Sequence, residues 1–274
     1  MVQNFFDPAR CSRCMICVER CPMKIIHEHR ETGFPFVAER FFPICVRCGH
    51  CEASCPENAV TLNHPALQNV PDLQSDGVIA SSQLVAYCLH RRSIRKYRPE
   101  VVERATIDEL FHIVRYAPSG VNRQPLKWIV VHDRRKVRLL TNAAMEWIQD
   151  ADRHQSATAV QLNFAGLLKS WHDGDDPICR GAPHLVIAHG RDADRIAAGD
   201  ATIALAHLEL GAPAFGLGAC WAGYFTIAAG SSPKIKALLN LPEDQVVLGT
   251  MMLGYPATRY YRIPKRNYAA ITWK

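Results

Sequence analysis

Apolar residues follow two rhythms along this chain. From Leu84 to Leu89 and from Ile107 to Tyr116 they recur at helical spacing, and the same spacing runs from Asp200 to Leu217, long enough for a central helix. Trp128-Ile129-Val130-Val131-His132, His184-Leu185-Val186-Ile187-Ala188 and Val246 to Leu253 are short apolar runs of the kind that form buried strands. Helical periods alternating with such runs predict a mixed α/β domain over residues 83–274. Residues 63–82, from Asn63-His64-Pro65 through Pro71-Asp72 to Asp76-Gly77, are rich in Pro, Asn, Asp and Gln and read as a linker. Residues 1–62 are marked by cysteine.

Composition narrows the picture. Hydrophobic residues at 48% and charged residues at 21% fit an ordinary globular protein, and 274 residues allow a small domain beside a medium one. No apolar run reaches the roughly 18 residues that suggest a membrane span. Met1-Val2-Gln3-Asn4 lacks the basic and apolar regions of a secretory signal, so cytoplasm is the expected compartment. The formal charge of +6 gathers in clusters: Arg91-Arg92, Arg95-Lys96-Arg98 and Lys265-Arg266. These suit a phosphate-bearing small molecule at least as well as nucleic acid.

Eight of the eleven cysteines lie between positions 11 and 55. With no export signal, such density points to metal rather than disulfides. The array is a repeat: Cys11-x2-Cys14-x2-Cys17-x3-Cys21-Pro22, then Cys45-x2-Cys48-x2-Cys51-x3-Cys55-Pro56. Met23-Lys24-Ile25-Ile26 and Glu57-Asn58-Ala59-Val60 follow as similar tails, which implies a pseudo-twofold domain. Zinc sites use paired C-x2-C knuckles a dozen or more residues apart, which these runs are not. Three thiolates at three-residue intervals wrap one cubane but cannot reach its far corner. In the two-cluster pattern the fourth cysteine of each run ligates the other cluster. That groups Cys11, Cys14, Cys17 and Cys55 on one [4Fe–4S] cluster and Cys45, Cys48, Cys51 and Cys21 on the other. The region resembles bacterial two-cluster ferredoxins, with a longer segment between the runs, Lys24 to Ile44. The resemblance implies one-electron carriage.

Four segments of the larger region carry further chemistry. Arg91-Arg92-Ser93-Ile94-Arg95 could surround a phosphate with guanidinium forks and a hydroxyl, or form a solvated basic face. Ala117-Pro118-Ser119-Gly120-Val121-Asn122-Arg123-Gln124-Pro125 combines small residues with two amides, a flavin-approaching loop or a plain turn. Gly216-Leu217-Gly218-Ala219-Cys220-Trp221-Ala222-Gly223 could present backbone N–H groups to a flavin ring, or merely cap the helix before it. Leu253-Gly254-Tyr255-Pro256 and then Arg262-Ile263-Pro264-Lys265-Arg266 bring more basic groups near the C-terminus.

In this order the four segments resemble the nitroreductase flavoprotein family. The resemblance implies an α+β chain: a ferredoxin-like two-cluster domain, residues 1–62, then an FMN-binding domain, residues 83–274, with a mainly antiparallel sheet flanked by helices. It implies that Arg91, Arg92, Ser93 and Arg95 hold the FMN phosphate and ribityl chain. Pro118, Ser119, Gly120 and Asn122 would approach the flavin from a partner subunit, and the Gln124 amide suits the flavin's ribityl chain or ring edge. Ala222 and Gly223 would lie near the ring, and Lys265 or Arg266 would close on the phosphate. The family is homodimeric, with FMN at the subunit interface. Family members often place Trp after Gln-Pro; here Leu126 stands there and Trp128 lies two positions on, which points to altered packing.

The expected function is an oxidoreductase in which two [4Fe–4S] clusters pass single electrons to FMN, which then reduces a nitroaromatic, quinone or enone. External ferredoxin or NAD(P)H could supply the electrons. The rivals are an NAD(P)H-dependent nitroreductase with auxiliary clusters, a non-catalytic electron carrier or redox sensor, and, resting only on the Arg91–Arg98 cluster, a nucleic-acid binder. His184 and His172 are candidate proton donors, though a lone histidine is more often structural. Cys88, Cys179 and Cys220 read as small buried apolar residues.

Overall fold

The computed structural model describes residues 5–62 and 79–274, so most of the expected linker lies outside the described residues. The chain divides into two compact units. The first comprises residues 1–77 with Ser119–Arg123, and the second Val78–Pro118 with Gln124–Lys274.

The first unit is two copies of one loop. Helix α1 (Ile16–Arg20) and helix α2 (His50–Ala53) each carry the third cysteine of a run. The backbone repeats with the sequence: left-handed residues pair at the cysteine offset, Arg13 with Arg47, Met15 with Gly49, and Lys24 with Asn58. Each tail then buries two apolar residues, Ile25 and Ile26 in one copy, Ala59 and Val60 in the other. Phe6 bridges Val60, which ties the start of the unit to its end. The segment between the runs forms an antiparallel hairpin, β1 (Ile26–Glu28) and β2 (Pro35–Val37), followed by a 3₁₀ turn over Glu39–Ile44. Gly33, at φ 67°, supplies the left-handed residue before β2.

The second unit is built on four antiparallel strands in the order β3-β4-β6-β5: β3 Lys127–Val131, β4 His184–Arg191, β5 Gly218–Trp221 and β6 Gln245–Gly254. Side chains alternate across a strand, and in β4 both faces are covered. Leu185 and Ile187 face one core with helices α5 (Arg134–Arg153) and α9 (Gly223–Ser231); Val186 and Ala188 face another with α4 (Arg104–Val114) and α8 (Ala197–Gly211). That double cover is why β4 reads as a continuous apolar run. The smaller helices are α3 (Ser81–His90), α6 (Ala157–Gln161), α7 (Phe164–His172) and α10 (Pro233–Leu238).

The expected strands and the two shorter helices are present with small changes of boundary. The expected central helix stops earlier: α8 ends at Gly211, a 3₁₀ turn containing Pro213 follows, and Gly216 at φ 69° closes it. α5 was not anticipated. Val137, Leu140, Ala144, Met145 and Ile148 give it one buried stripe, and the Asp133 carboxylate caps it by accepting from the Arg135 N–H at 2.8 Å. Trp128 packs edge-to-face on Phe111, centroids 5.1 Å apart, so this ring is held in the core beneath β3.

Candidate functional site

In the first unit the loops create two cavities. One is lined by Cys45, Cys48 and Cys51 together with Cys21, walled by Phe5, Ile25, Ile26 and Leu62. The other is lined by Cys11, Cys14 and Cys17 together with Cys55, walled by Phe6, Pro35 and Val60. Each cavity thus takes three thiols from one run and the fourth from the other. Backbone N–H groups already point at sulfur: Arg13 N–H donates to Cys11 Sγ at 3.4 Å and Ala59 N–H to Cys55 Sγ at 3.2 Å. Among the described residues no three Cys, His, Asp or Glu side chains converge on one ion-sized point. A ring of cysteines around a cavity with apolar walls fits an iron–sulfur cubane. Burial raises the Cys17 thiol and pushes Cys51 up to about 11, so a cluster must displace protons to bind there.

Ser119–Arg123 belongs to this first unit. Asn122 Nδ2 donates at 3.0 Å to the carbonyls of both Val46 and Arg47, between Cys45 and Cys48. In this structure the Asn122 amide therefore braces a cysteine loop. Pro118 and Gln124 fall in the second unit.

In the second unit the Arg91-Arg92-Ser93-Ile94-Arg95 segment is pinned on the edge strand β5. Ile94 N–H donates to the Ala219 carbonyl at 3.0 Å, and Tyr97 bridges Pro256. The motif can lie this close because residue 218 is glycine: a Cβ there would stand 2.3 Å from Ile94 Cγ1. Behind the motif Arg91 Nη1 donates to Glu209 Oε1 at 2.7 Å, and Ser93 Oγ faces the same oxygen at 3.5 Å. Arg92 donates through Nη1 and Nη2 to the carbonyls of Arg91 and Leu89, and its buried Nε has no acceptor. That orphaned donor fits an anionic ligand. Arg95 Nη1 lies 3.5 Å from the Ser93 carbonyl, its side chain otherwise exposed.

Arg92, Ile94 and Glu209 line a cavity of about 370 Å³ whose outer wall is Thr258, Tyr260, Tyr261, Arg262 and Ile263. Lys265 and Arg266 lie beyond it in the exposed C-terminal stretch. Glu209 and Tyr260 were missed by sequence reasoning, and Arg262 was read there only as one of the basic groups near the C-terminus. Ala222 and Gly223 stand at the start of α9, where Ala222 N–H is committed to the Thr250 carbonyl. Gly223 is the first residue of α9, whose opening N–H groups have no acceptor within the helix.

His184 lies fully buried in β4. Its Nε2 accepts the Val102 N–H at 2.9 Å, and His132, stacked on it with centroids 4.5 Å apart, donates to the Val102 carbonyl at 2.7 Å. The pair clamps the backbone at Val102, a structural task. Burial first and the neighbouring His132 second lower His184 to about 4. Since the folded chain prefers the neutral ring, its contribution is complete above about pH 6.5 and is lost as pH falls from there toward 4. We expect this residue to remove about 3 kcal/mol of stability by the lower limit. Melting temperatures across that interval check it: if His184→Gln shows the same acid-side slope as wild type, the loss originates elsewhere. Cys179 and Cys220 are buried, as expected, whereas Cys88 is exposed. Trp147 of α5 and Phe164 of α7 pack edge-to-face in the core.

The sequence profile of the Nitroreductase family matches residues 89–255, and that of the 4Fe-4S dicluster domain matches residues 10–60. An NADH dehydrogenase of Thermus thermophilus is 30% identical over 204 residues, 68% of this chain and 93% of that protein. An FMN reductase [NAD(P)H] of Bacillus subtilis is 27% identical over 192 residues, 69% of this chain and 72% of that one. Among solved structures, a nitroreductase with bound FMN from Bacteroides fragilis shares the fold at a TM-score of 0.59 and 22% identity, covering 69% of this chain and 97% of its own. A nitroreductase with bound FMN from Desulfitobacterium hafniense does so at a TM-score of 0.57 and 19% identity, covering 69% and 96%.

Proposed function

The chain belongs to the nitroreductase family and carries an N-terminal 4Fe-4S dicluster domain, and from that premise we propose an enzyme that draws single electrons through two [4Fe–4S] clusters, passes them to FMN and delivers them in pairs to an electron-poor organic acceptor, a nitroaromatic, quinone or enone. The observation that carries this reading is the pair of cysteine-lined cavities, each completed by a cysteine of the other run. FMN supplies the change from one-electron to two-electron chemistry. The protein's part is binding and orientation. Arg91, Arg92, Ser93 and Arg95 would take the phosphate, and Arg262 lines the same cavity as Arg92. Ala222 and Gly223 would offer backbone near the ring. Cys11, Cys14, Cys17 and Cys55 hold one cluster, and Cys21, Cys45, Cys48 and Cys51 the other.

The active form is a cytoplasmic homodimer with FMN at the subunit interface. The C-terminal stretch beyond Ala257 has no regular structure and exposes Tyr261, Tyr268, Ile271 and Trp273, apolar surface that a second copy would cover. Among the described residues no helix is long and apolar enough to cross a membrane.

A second reading has a specific basis: the names of the relatives from Bacillus subtilis and Thermus thermophilus specify NAD(P)H and NADH. In that reading nicotinamide reduces the flavin directly and the clusters are an outlet. Anaerobic stopped-flow mixing separates the two. Reduced ferredoxin should bleach the clusters first and the flavin after them, and replacing Cys14 and Cys48 should abolish the flavin phase. Rapid flavin bleaching by NAD(P)H that survives those replacements would assign the clusters to the outlet.

A further inference from the structure

Glu209 is an acidic group inside the basic cradle. It sits in the last turn of α8, its side chain only 12% exposed, with Arg91 Nη1 at 2.7 Å. Ser93 Oγ lies 3.5 Å from the same carboxylate oxygen and 3.5 Å from Arg91 Nη1, so these three groups form one cluster. Two donors of the Arg91-Arg92-Ser93-Ile94-Arg95 motif are thus turned onto a carboxylate of their own chain. Arg92 of the same motif keeps a buried Nε without an acceptor and lines the same cavity as Glu209.

A guanidinium beside a carboxylate is held in one orientation by a charge-assisted bond. An incoming phosphate needs that guanidinium too. It must share Arg91 with Glu209, and like charges a few ångströms apart in a partly buried site repel. Geometry and charge therefore pull in opposite directions: the acceptor atom preorganises the cradle, while its charge opposes the phosphate. We infer that Glu209 is a positioning residue that keeps Arg91 and Ser93 in place in the flavin-free chain and limits FMN affinity by competing with the phosphate for them. This rests on the reading that FMN binds at this motif.

Glu209→Gln separates the two effects, because the amide oxygen can still accept from Arg91 and Ser93 while the charge is gone. Dissociation constants for FMN and riboflavin, measured calorimetrically on the cluster-replete protein, supply the readout. Riboflavin lacks the phosphate and reports any general damage to the flavin pocket. FMN binding should tighten about tenfold in Glu209→Gln while riboflavin changes less than about twofold. Glu209→Asp, which keeps the charge, should hold the FMN-to-riboflavin ratio within about threefold of wild type, on the same electrostatic argument. Raising the salt concentration should shrink the gain in the glutamine variant. Unchanged or weaker FMN binding in Glu209→Gln, or parallel changes for both flavins, would overturn the inference and leave the FMN reading intact. A wild-type protein that binds FMN no better than riboflavin would overturn both. If the glutamine variant does not fold, an aspartate variant whose ratio rises with the charge intact would equally count against competition.

Discussion

Replacing Cys21 with alanine should extinguish the cluster of Cys45, Cys48 and Cys51 and leave the cluster of its own run in place. Cys21 lines the cavity of the other three, at the end of α1, where the chain turns extended and enters Pro22. A loop that spends three thiols on neighbouring corners of a cubane has no fourth within reach, so the far corner must be closed by another segment. The pseudo-twofold backbone makes the same true of Cys55 and the first run. Iron content should fall from about eight atoms per chain toward about four in any single variant. Electron paramagnetic resonance of the reduced protein tells which cluster has gone. The spectrum of Cys21→Ala should superimpose on that of Cys48→Ala, and Cys55→Ala on Cys14→Ala. Should Cys21→Ala instead match Cys14→Ala, each run holds its own cluster and the crossed arrangement is wrong.

Legibility in the sequence followed the distance over which each feature is encoded. Cysteine spacing is local and repeats, so the two-loop unit could be read directly, including which four thiols share a cavity. The left-handed positions that shape the loops could not: Arg13, Met15, Lys24 and Arg47 are not residue types that announce φ > 0, and only Gly49 and Asn58 hint at it. The strands were visible because burial on both faces made them uninterrupted apolar runs. α5 was hidden, since its stripe is interleaved with Arg134, Arg135, Lys136 and Arg138 and partly built from Thr141, Ala143 and Ala144. Glu209, between Leu208 and Leu210 on a helix, reads as a solvent-facing charge; only the path of Arg91 makes it part of the cradle. Asn122 finds its acceptors at Val46 and Arg47, far away in sequence, which no local pattern encodes. Arg262, rather than Lys265 or Arg266, lines the cavity because of the route the chain takes after Pro256.

Gly218→Ala should both destabilise the protein and weaken FMN binding, although residue 218 offers no side chain to a ligand. The added methyl would meet Ile94 Cγ1 at 2.3 Å, Ile94 Cβ at 2.9 Å and Pro256 Cγ at 3.0 Å. Ile94 cannot yield alone: its N–H is bonded to Ala219 in the neighbouring position of β5, and it is flanked by Ser93 and Arg95. Relief therefore moves the motif as a piece, away from the sheet edge. Overpacking of this kind costs about 2 kcal/mol, which for a domain of this size lowers the melting temperature by about 4–8 °C. A cradle displaced by a fraction of an ångström loses the aim of its guanidinium forks, and FMN affinity should drop about tenfold, the equivalent of one lost charge-assisted bond. Gly216→Ala is the control. Its φ of 69° makes alanine costly by about 1 kcal/mol, but no atom lies within 4 Å of the new methyl, so the motif stays where it is. A comparable loss of FMN affinity in both variants would show that general destabilisation, and not displacement of Arg91-Arg92-Ser93, empties the site. Loss confined to Gly218→Ala would tie flavin binding to the close approach of one strand edge and one basic motif.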